Sequence, residues 1–358
     1  MGQMPVILGP TACGKTAVAA RLAFEIGGEV ISADSRQVYK SMDIGSGKDL
    51  GDYIVEGNPV PYHLIDIAEP GSEYNIFQYQ KDFTLACDDI ISRGKVPVLC
   101  GGSGMYLEAV LKGYSLPEAP PDPEFASSME SKTDSELLQE LSRVKKLHST
   151  TDTLDRGRML RALEIELKRK QDARYKIQDK SSVISDHASR IIPPALCLPH
   201  PASRILHPAS CLPHPESRIM HPASCIPHPE SRIMNPASPI LFGLNPGREI
   251  VRHRITDRLR ARLNNGMVEE VRVLLDKGIP PDRLKAYGLE YKFITQYLEG
   301  ELSFEEMFRL LNIAIHQFAK RQMTWFRRME KQGMLIHWIE GEKTMEEKVR
   351  EIRVIGGW

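Results

Sequence analysis

The sequence lacks the long apolar runs, the abundant cysteines and the net charge that mark several large classes of protein. No run of about eighteen apolar residues occurs, which argues against a membrane-spanning helix. The first residues show neither the basic segment nor the cleavage pattern of a signal peptide, so we expect a cytoplasmic protein without a membrane partner. Six cysteines in 358 residues imply no disulfide framework. Because 47 Lys and Arg balance 47 Asp and Glu, any nucleic-acid binding must come from local patches.

A tandem duplication interrupts the chain. The segment HPASCLPHPESRIM at 207–220 is followed by HPASCIPHPESRIM at 221–234, within a proline-rich stretch. The repeated Cys-x-x-His spacing, as in Cys211 and His214, could be interpreted as a zinc site. Duplication explains the recurrence better, because each copy carries the same spacing. Since proline disfavours both regular helix and central strand, we expect a mostly disordered insertion over residues 178–240.

Apolar periodicity on either side of the repeat predicts an α/β protein. Short apolar runs at Pro5 to Leu8, Glu29 to Ala33 and Lys95 to Cys100 predict strands, and Thr16 to Ile26 predicts a helix between the first two. This alternation is typical of a parallel sheet with helices on its faces.

The residues after the repeat predict mainly helices. The 3.6-residue period predicts helices over Arg248 to Asn264, Met267 to Lys277 and Ser303 to Met329, and the last of these can open with a capping box formed by Ser303 and Glu306. A final apolar segment, Leu335 to Ile339, predicts an edge strand returning to the sheet.

A phosphate-binding loop follows the first predicted strand and opens the first predicted helix. Its sequence is Gly9-Pro10-Thr11-Ala12-Cys13-Gly14-Lys15-Thr16, which matches G-x-x-x-x-G-K-[ST] in the required context. Backbone N–H groups of such a loop surround phosphate oxygens, the lysine adds a positive charge, and the Thr16 hydroxyl can ligate Mg²⁺. The sequence therefore predicts a site for a diphosphate or triphosphate.

The acid expected of a nucleoside triphosphatase is absent from the third predicted strand. That strand ends in Gly101-Gly102-Ser103-Gly104, whereas an aspartate would be expected there. An aspartate, Asp34, instead follows the second strand, at the edge where parallel sheets bind ligands. It can hold Mg²⁺, act as a general base or cap the next turn.

Six motifs in fixed order resemble those of the tRNA dimethylallyltransferases, also called tRNA isopentenyltransferases. They are GPTACGKT at 9–16, SADSRQVY at 32–39, HLID at 63–66, GGSGMY at 101–106, DRGRMLRALE at 155–164 and AKRQMTWFR at 319–327. The resemblance implies a P-loop NTPase-like parallel sheet flanked by helices, with a small helical tRNA-binding lid and a C-terminal helical segment. It also implies transfer of a dimethylallyl group from its diphosphate to N6 of the adenosine 3′ to a tRNA anticodon, with Mg²⁺.

The resemblance further assigns roles by motif position. Asp34 becomes the general base, and Thr11, Lys15, Thr16 and Ser103 complete the catalytic set, with the whole loop 9–16 binding diphosphate and Thr16 holding the metal ion. Predicted tRNA contacts are Asp34, Ser35, Arg36, Gln37, Ser103, Arg158 and Arg161. Possible contacts to diphosphate or RNA are Arg254 and Arg258. The expected partners are the tRNA anticodon stem-loop and dimethylallyl diphosphate, without an obligate protein partner.

A division into segments follows from these motifs. We predict a P-loop α/β core at 1–116, a short helical lid at 117–153, a core helix with RNA-facing arginines at 154–177, the insertion at 178–240 and a C-terminal helical part of the core at 241–358. The lid is expected to be short, because only Ser135 to His148 shows a firm helical pattern.

Some residues depart from the family pattern. Leu154 and Gly157 stand where polar residues are frequent, and the surroundings of Glu290 leave its role open. Three other functions remain as alternatives: a P-loop small-molecule kinase or NTPase, an isopentenyltransferase acting on free adenine nucleotides, and a non-enzymatic RNA-binding protein. The missing strand-end acid argues against the first, and the basic end of the last long helix argues against the second.

Overall fold

The computed structural model describes residues 3–114, 122–144, 156–170 and 238–358. Contacts divide these residues into two compact units. One unit contains the described residues of Met1–Leu116 and Ile233–Trp358, and the other contains those of Pro117–Arg232. None of the helices in these four ranges has the length and apolar character needed to span a bilayer.

A parallel sheet organises the first unit. Its strand order is β5-β2-β6-β1-β7-β8, with every paired neighbour parallel. The strands are β1 Met4–Leu8, β2 Gly28–Ala33, β5 Tyr62–His63, β6 Val96–Gly101, β7 Pro239–Asn245 and β8 Ile336–Glu340. Every residue of β1 and β2 is buried, as expected of strands whose two faces are both covered. A separate two-stranded antiparallel ribbon pairs β3 Ile54–Val55 with β4 Asn58–Pro59.

Helices pack against the sheet and against one another. Those that follow the first strands are α1 Lys15–Ile26, α2 Ile76–Ser92 and α3 Gly104–Leu111. Those of the C-terminal half are α7 Arg248–Asn264, α8 Met267–Asp276, α9 Pro281–Tyr287, α10 Leu289–Leu298, α11 Phe304–Lys331 and α12 Met345–Gly356. The Ser303 hydroxyl accepts a hydrogen bond from the Glu306 N–H, and the Glu306 carboxylate accepts one from the Ser303 N–H, so the predicted capping box is confirmed.

The predicted insertion over 178–240 ends two residues too late, because Pro239 and Ile240 belong to a strand. Strand β7 begins at Pro239 and lies between β1 and β8 in the sheet. Proline is tolerated at this position because the first residue of a strand need not donate a ladder hydrogen bond. The range 241–358 is likewise not purely helical, since it contributes β7 and β8. The predicted edge strand is confirmed as β8. Residues 178–237 lie outside the described ranges.

The second unit is helical where it is described. It contains α4 Pro123–Ser128, α5 Asp134–Val144 and a further helix, α6, over 156–170. Leu137, Leu141 and Leu163 form the centre of its small core. The predicted helix Ser135 to His148 is confirmed as far as Val144, and its last four residues lie outside the described ranges. The sequence pattern missed α4, which is short and is capped by the Asp122 carboxylate.

The buried carboxylate of Glu29 anchors the start of β2. Glu29 is 2% exposed, and Arg93 Nη2 donates a hydrogen bond of 2.8 Å to its Oε2. His63 Nε2 lies 2.7 Å from the same oxygen, and Lys95 Nζ lies 3.1 Å from Oε1. Hydrogen bonding from Arg93, supported by His63 and Lys95 and opposed by burial, lowers the pKa of Glu29 from 4.5 to about 2. The ionised form therefore stabilises the fold.

We expect Glu29→Gln to lower the free energy of unfolding at neutral pH by on the order of 2 kcal/mol. Because the folded-state pKa is lowered, this contribution is present above the unfolded value of 4.5 and is lost as the pH falls towards 2. Urea unfolding at pH 7 and at pH 3 measures the difference. A gap between the two proteins that stays constant with pH would contradict the assignment.

Candidate active site

The P-loop joins β1 to α1 in the geometry that the sequence predicted. Gly14 has a left-handed backbone with φ of 85° and directly precedes the first turn of α1. A Cβ atom on Gly9 would lie 2.7 Å from Cys13 Sγ and 3.0 Å from the Leu244 carbonyl oxygen, so that position has no room for a side chain. Lys15 Nζ lies 3.5 Å from the Pro10 carbonyl oxygen, above the loop.

A cavity of about 410 Å³ opens beside this loop, at the carboxyl ends of the strands. The residues that line it come from the P-loop, the turn after β2, the loop at 47–53 and helix α7. Of the predicted site residues, the lining includes Thr11, Ala12, Gly14, Lys15, Thr16, Asp34, Gln37, Arg254 and Arg258. Gly9, Pro10, Cys13, Ser35, Arg36 and Ser103 do not line it, and Arg158 and Arg161 belong to the other unit.

Asp34 faces the cavity from a fixed turn. Its Oδ1 accepts a hydrogen bond of 3.0 Å from the Arg36 N–H. Ser103 Oγ accepts one of 3.1 Å from the Ser35 N–H, so the turn after β2 is tied to the turn after β6. Asp34 thus caps its own turn and also presents a carboxylate to the cavity. The cap role is therefore observed, and the roles of general base and Mg²⁺ ligand are compatible with this geometry.

The amide of Gln37 is oriented by two hydrogen bonds. Ser32 Oγ donates to Gln37 Oε1 at 3.0 Å, and Gln37 Nε2 donates to the Gly47 carbonyl oxygen at 3.1 Å. All three residues line the cavity. The contact links the turn after β2 to the loop at 47–53, and it fixes which end of the amide faces which neighbour.

Arg36 forms a largely buried ion pair that the sequence did not predict. Its Nη1 donates to Glu290 Oε2 at 2.6 Å, and its guanidinium carbon lies 5.0 Å from the centre of the Phe318 ring. The Arg36 and Glu290 side chains are 17% and 10% exposed. Glu290, whose role the sequence left open, therefore holds the turn that carries Asp34. The contact of Arg36 with adenosine stays a prediction.

Gln322 of α11 connects the P-loop to the turn after β6. Its Oε1 accepts a hydrogen bond of 2.8 Å from the Thr11 N–H, and its Nε2 donates one of 2.9 Å to the Gly102 carbonyl oxygen. A Cβ on Gly102 would lie 2.6 Å from Gln322 Nε2, and one on Gly104 would lie 2.4 Å from the Trp325 ring. Two glycines of the GGSG motif therefore make room for two side chains on one face of α11.

We expect Gln322→Met to lower the free energy of unfolding by about 1–3 kcal/mol, because it leaves the Thr11 N–H and the Gly102 carbonyl without this partner. Gln317→Met is the matched control, since Gln317 is an exposed glutamine on the same helix. Urea unfolding of both variants measures the difference. Equal stability of the two variants would contradict the bridging role.

The basic end of α11 is partly occupied by internal contacts. The guanidinium carbon of Arg328 lies 3.9 Å from the centre of the Trp325 ring, and its Nη2 donates to Glu108 Oε2 at 2.8 Å. Phe326 is fully buried, and Trp325 packs against the same core with its ring beneath Arg328. Lys320, Arg321 and Arg327 are exposed.

Carboxylates that sequence reasoning missed also line the cavity. Asp49, Asp52 and Asp257 contribute to its wall, and no spacing or motif in the sequence connects them to the P-loop. Burial, with a smaller effect of neighbouring Asp49, raises the pKa of Asp52. Arg258 forms an ion pair with Asp49, and Arg254, one turn earlier on α7, is exposed at the cavity.

The donor atoms at the cavity suit Mg²⁺ bound together with phosphates. The Thr16 hydroxyl and the Asp34 and Asp52 carboxylates all face this space, and oxygen atoms are the ligands that Mg²⁺ prefers. Within the described residues, no group of three or more His, Cys, Asp or Glu forms a complete metal site. Such a partial set agrees with the usual mode of Mg²⁺, which takes one or two protein ligands and completes its shell with phosphates and water.

Comparison with known proteins places the chain in a family. The family model described as IPP transferase matches residues 37–206 and 215–329, and one described as isopentenyl transferase matches residues 2–57. The chain is 46% identical to tRNA dimethylallyltransferase 1 of Parabacteroides distasonis, over 97% of this chain and 95% of that protein. The chain belongs to the IPP transferase family.

Solved structures of IPP transferases agree with this assignment. The tRNA isopentenylpyrophosphate transferase of Bacillus halodurans matches with a TM-score of 0.61 at 26% identity, over 100% of this chain and 96% of that one. A eukaryotic dimethylallyltransferase that acts on tRNA shares the fold, with a TM-score of 0.68 at 19% identity over 99% of this chain and 78% of that one. The P-loop NTPase-like fold is confirmed, and these relatives support a prenyltransferase rather than a kinase.

Proposed function

We propose that this IPP transferase moves a dimethylallyl group from dimethylallyl diphosphate to N6 of the adenosine 3′ to the anticodon of a tRNA, with release of diphosphate. The proposal rests on one cavity, which brings Lys15, Thr16 and the arginines of α7 together with the carboxylate of Asp34. Polyanion binding and proton acceptance are the two tasks that this transfer requires of the protein.

The diphosphate would lie against the P-loop. N–H groups at the start of α1 and the Lys15 ammonium would hold its oxygens, and Arg254 and Arg258 of α7 would add positive charge at the same cavity. Thr16 would hold Mg²⁺, which when bound neutralises negative charge on the leaving diphosphate. These groups stabilise the anion that forms as the carbon–oxygen bond of the donor breaks.

Asp34 would accept the proton. As N6 bonds to the dimethylallyl carbon, the nitrogen loses one proton, and the Asp34 carboxylate is placed at the same cavity to take it. The adenosine must leave the stack of the anticodon loop to reach this position. Ser35, Arg36, Gln37 and Ser103 form the turns beside Asp34, and we propose that they surround the base, while Arg158 and Arg161 hold the tRNA backbone.

Mass analysis of tRNA nucleosides tests the proposal. The full chain is incubated with unmodified tRNA, Mg²⁺ and dimethylallyl diphosphate in the absence of ATP, with a second reaction that offers AMP as the acceptor. A gain of one dimethylallyl group on a tRNA adenosine is the expected result. Modification of AMP alone would favour the free-nucleotide enzyme, and no modification of either acceptor would refute the proposed function.

A further inference from the structure

A carboxylate faces the same arginine that would bind the diphosphate. Asp49 lies on the cavity wall, and its Oδ2 accepts a hydrogen bond from Arg258 Nη2. Asp49 Oδ1 lies 3.6 Å from Arg262 Nη2, one turn further along α7. The Asp49 carboxylate therefore lies between two arginines, where a bound anion would otherwise be expected.

The loop that carries Asp49 is fixed by the residues before it. The Lys48 side chain is fully buried, and its Nζ donates to the Tyr39 carbonyl oxygen at 2.6 Å and to Asp43 Oδ1 at 2.8 Å. The preceding residue, Gly47, accepts a hydrogen bond from Gln37. Because Gly47 and Lys48 are both anchored, the main chain at Asp49 cannot easily move away from the arginines.

The two arginines share Asp49 as their ion-pair partner. Arg262 has a 15% exposed side chain, and its buried Nη2 makes no hydrogen bond in the described structure. Burial, together with the neighbouring charge of Arg258, lowers the pKa of Arg262. The Gly47 backbone has φ of 74°, and a Cβ there would lie 2.1 Å from Arg262 Nη2, so the loop is shaped around this guanidinium. Among the described residues, Asp49 is the carboxylate with which both arginines pair, and a bound diphosphate would be a second anion at the same place.

We propose that Asp49 is an internal counter-anion that competes with diphosphate for Arg258 and so limits how tightly diphosphate is held. The inference rests on the proposed function, because it takes the cavity to be the diphosphate site. A bound diphosphate must share or displace the Asp49 carboxylate, and it also meets electrostatic repulsion from it across a partly buried space. Weaker retention of the product follows, which favours release after transfer.

Calorimetric titration with inorganic pyrophosphate and Mg²⁺ tests this inference on the full chain. We expect Asp49→Asn to bind pyrophosphate at least about tenfold more tightly than the unchanged protein, since it removes the competing charge and leaves Arg258 and Arg262 uncompensated. Asp257→Asn removes a cavity carboxylate that pairs with Arg260 rather than with Arg258, and it should tighten binding less. Asp282→Asn, exposed on α9, is the control and should change nothing.

The possible outcomes separate the two proposals. Unchanged or weaker pyrophosphate binding by a folded Asp49→Asn protein would overturn the inference and make Asp49 a support that positions Arg258. If the unchanged protein bound no pyrophosphate, the diphosphate site and this inference would both fail. Should Asp49→Asn not fold, Asp49→Ser replaces it as the neutral variant, and Asp49→Glu must restore the weaker binding.

Discussion

Asp34→Asn is expected to slow the chemical step by roughly 10²- to 10⁴-fold, the usual loss when a general base is removed. Asparagine keeps an oxygen that can accept the hydrogen bond from the Arg36 N–H, so the turn after β2 should survive. Its amide cannot take the proton from N6. Single-turnover transfer with saturating tRNA and dimethylallyl diphosphate measures the step directly.

A second substitution at the same position separates the catalytic role from the structural one. Asp34→Ala removes both the proton acceptor and the cap of the turn. If Asp34 is the base, both variants lose the chemical step, and Asp34→Asn keeps its affinity for pyrophosphate and its thermal stability. An active Asp34→Asn protein together with an inactive Asp34→Ala protein would show that Asp34 only caps its turn.

The sequence predicted those parts of the site whose residues lie close together in the chain. The P-loop could be recognised because all eight of its residues are consecutive and stand between an apolar run and a helical pattern. Asp34 could be placed near it because parallel strands bring their carboxyl ends to one edge of a sheet. Both inferences require only the order and the direction of the strands.

The sequence did not predict contacts between segments that lie far apart in the chain. Thr11 and Gln322 are 311 residues apart, and Arg36 and Glu290 are 254 residues apart. A glutamine in a basic motif and a glutamate in an amphipathic helix carry no local sign of such partners. The carboxylate of Asp49 was missed for the same reason, since its meaning depends on two arginines of α7.

Strand β7 shows how composition can mislead. Its first residue, Pro239, follows a segment in which proline recurs every few residues, and this composition predicts an insertion that continues through Ile240. The apolar residues that follow, from Leu241 to Leu244, are buried and pair with β1 and β8. A proline at the first position of a strand costs no ladder hydrogen bond, so the composition rule fails at this boundary.

Loss of the largely buried ion pair between Arg36 and Glu290 is expected to destabilise the fold strongly. Removal of one partner leaves a buried charge without compensation, which usually costs about 3–5 kcal/mol. Glu290→Ala should therefore lower the free energy of unfolding by about that amount. Since the Arg36 N–H also holds Asp34, the same substitution should slow dimethylallyl transfer in the protein that remains folded.

Urea unfolding of Glu290→Ala, Arg36→Met and the double variant tests the origin of that loss. If it arises from an uncompensated charge, the double variant should be less destabilised than the sum of the single variants, because neither charge is left alone. Additive losses would show that the ion pair contributes little and that the two side chains act through packing, for example through the contact between Arg36 and Phe318. Transfer activity should follow the position of Arg36, so that Glu290→Gln, which can still accept a hydrogen bond from its guanidinium, retains more activity than Glu290→Ala.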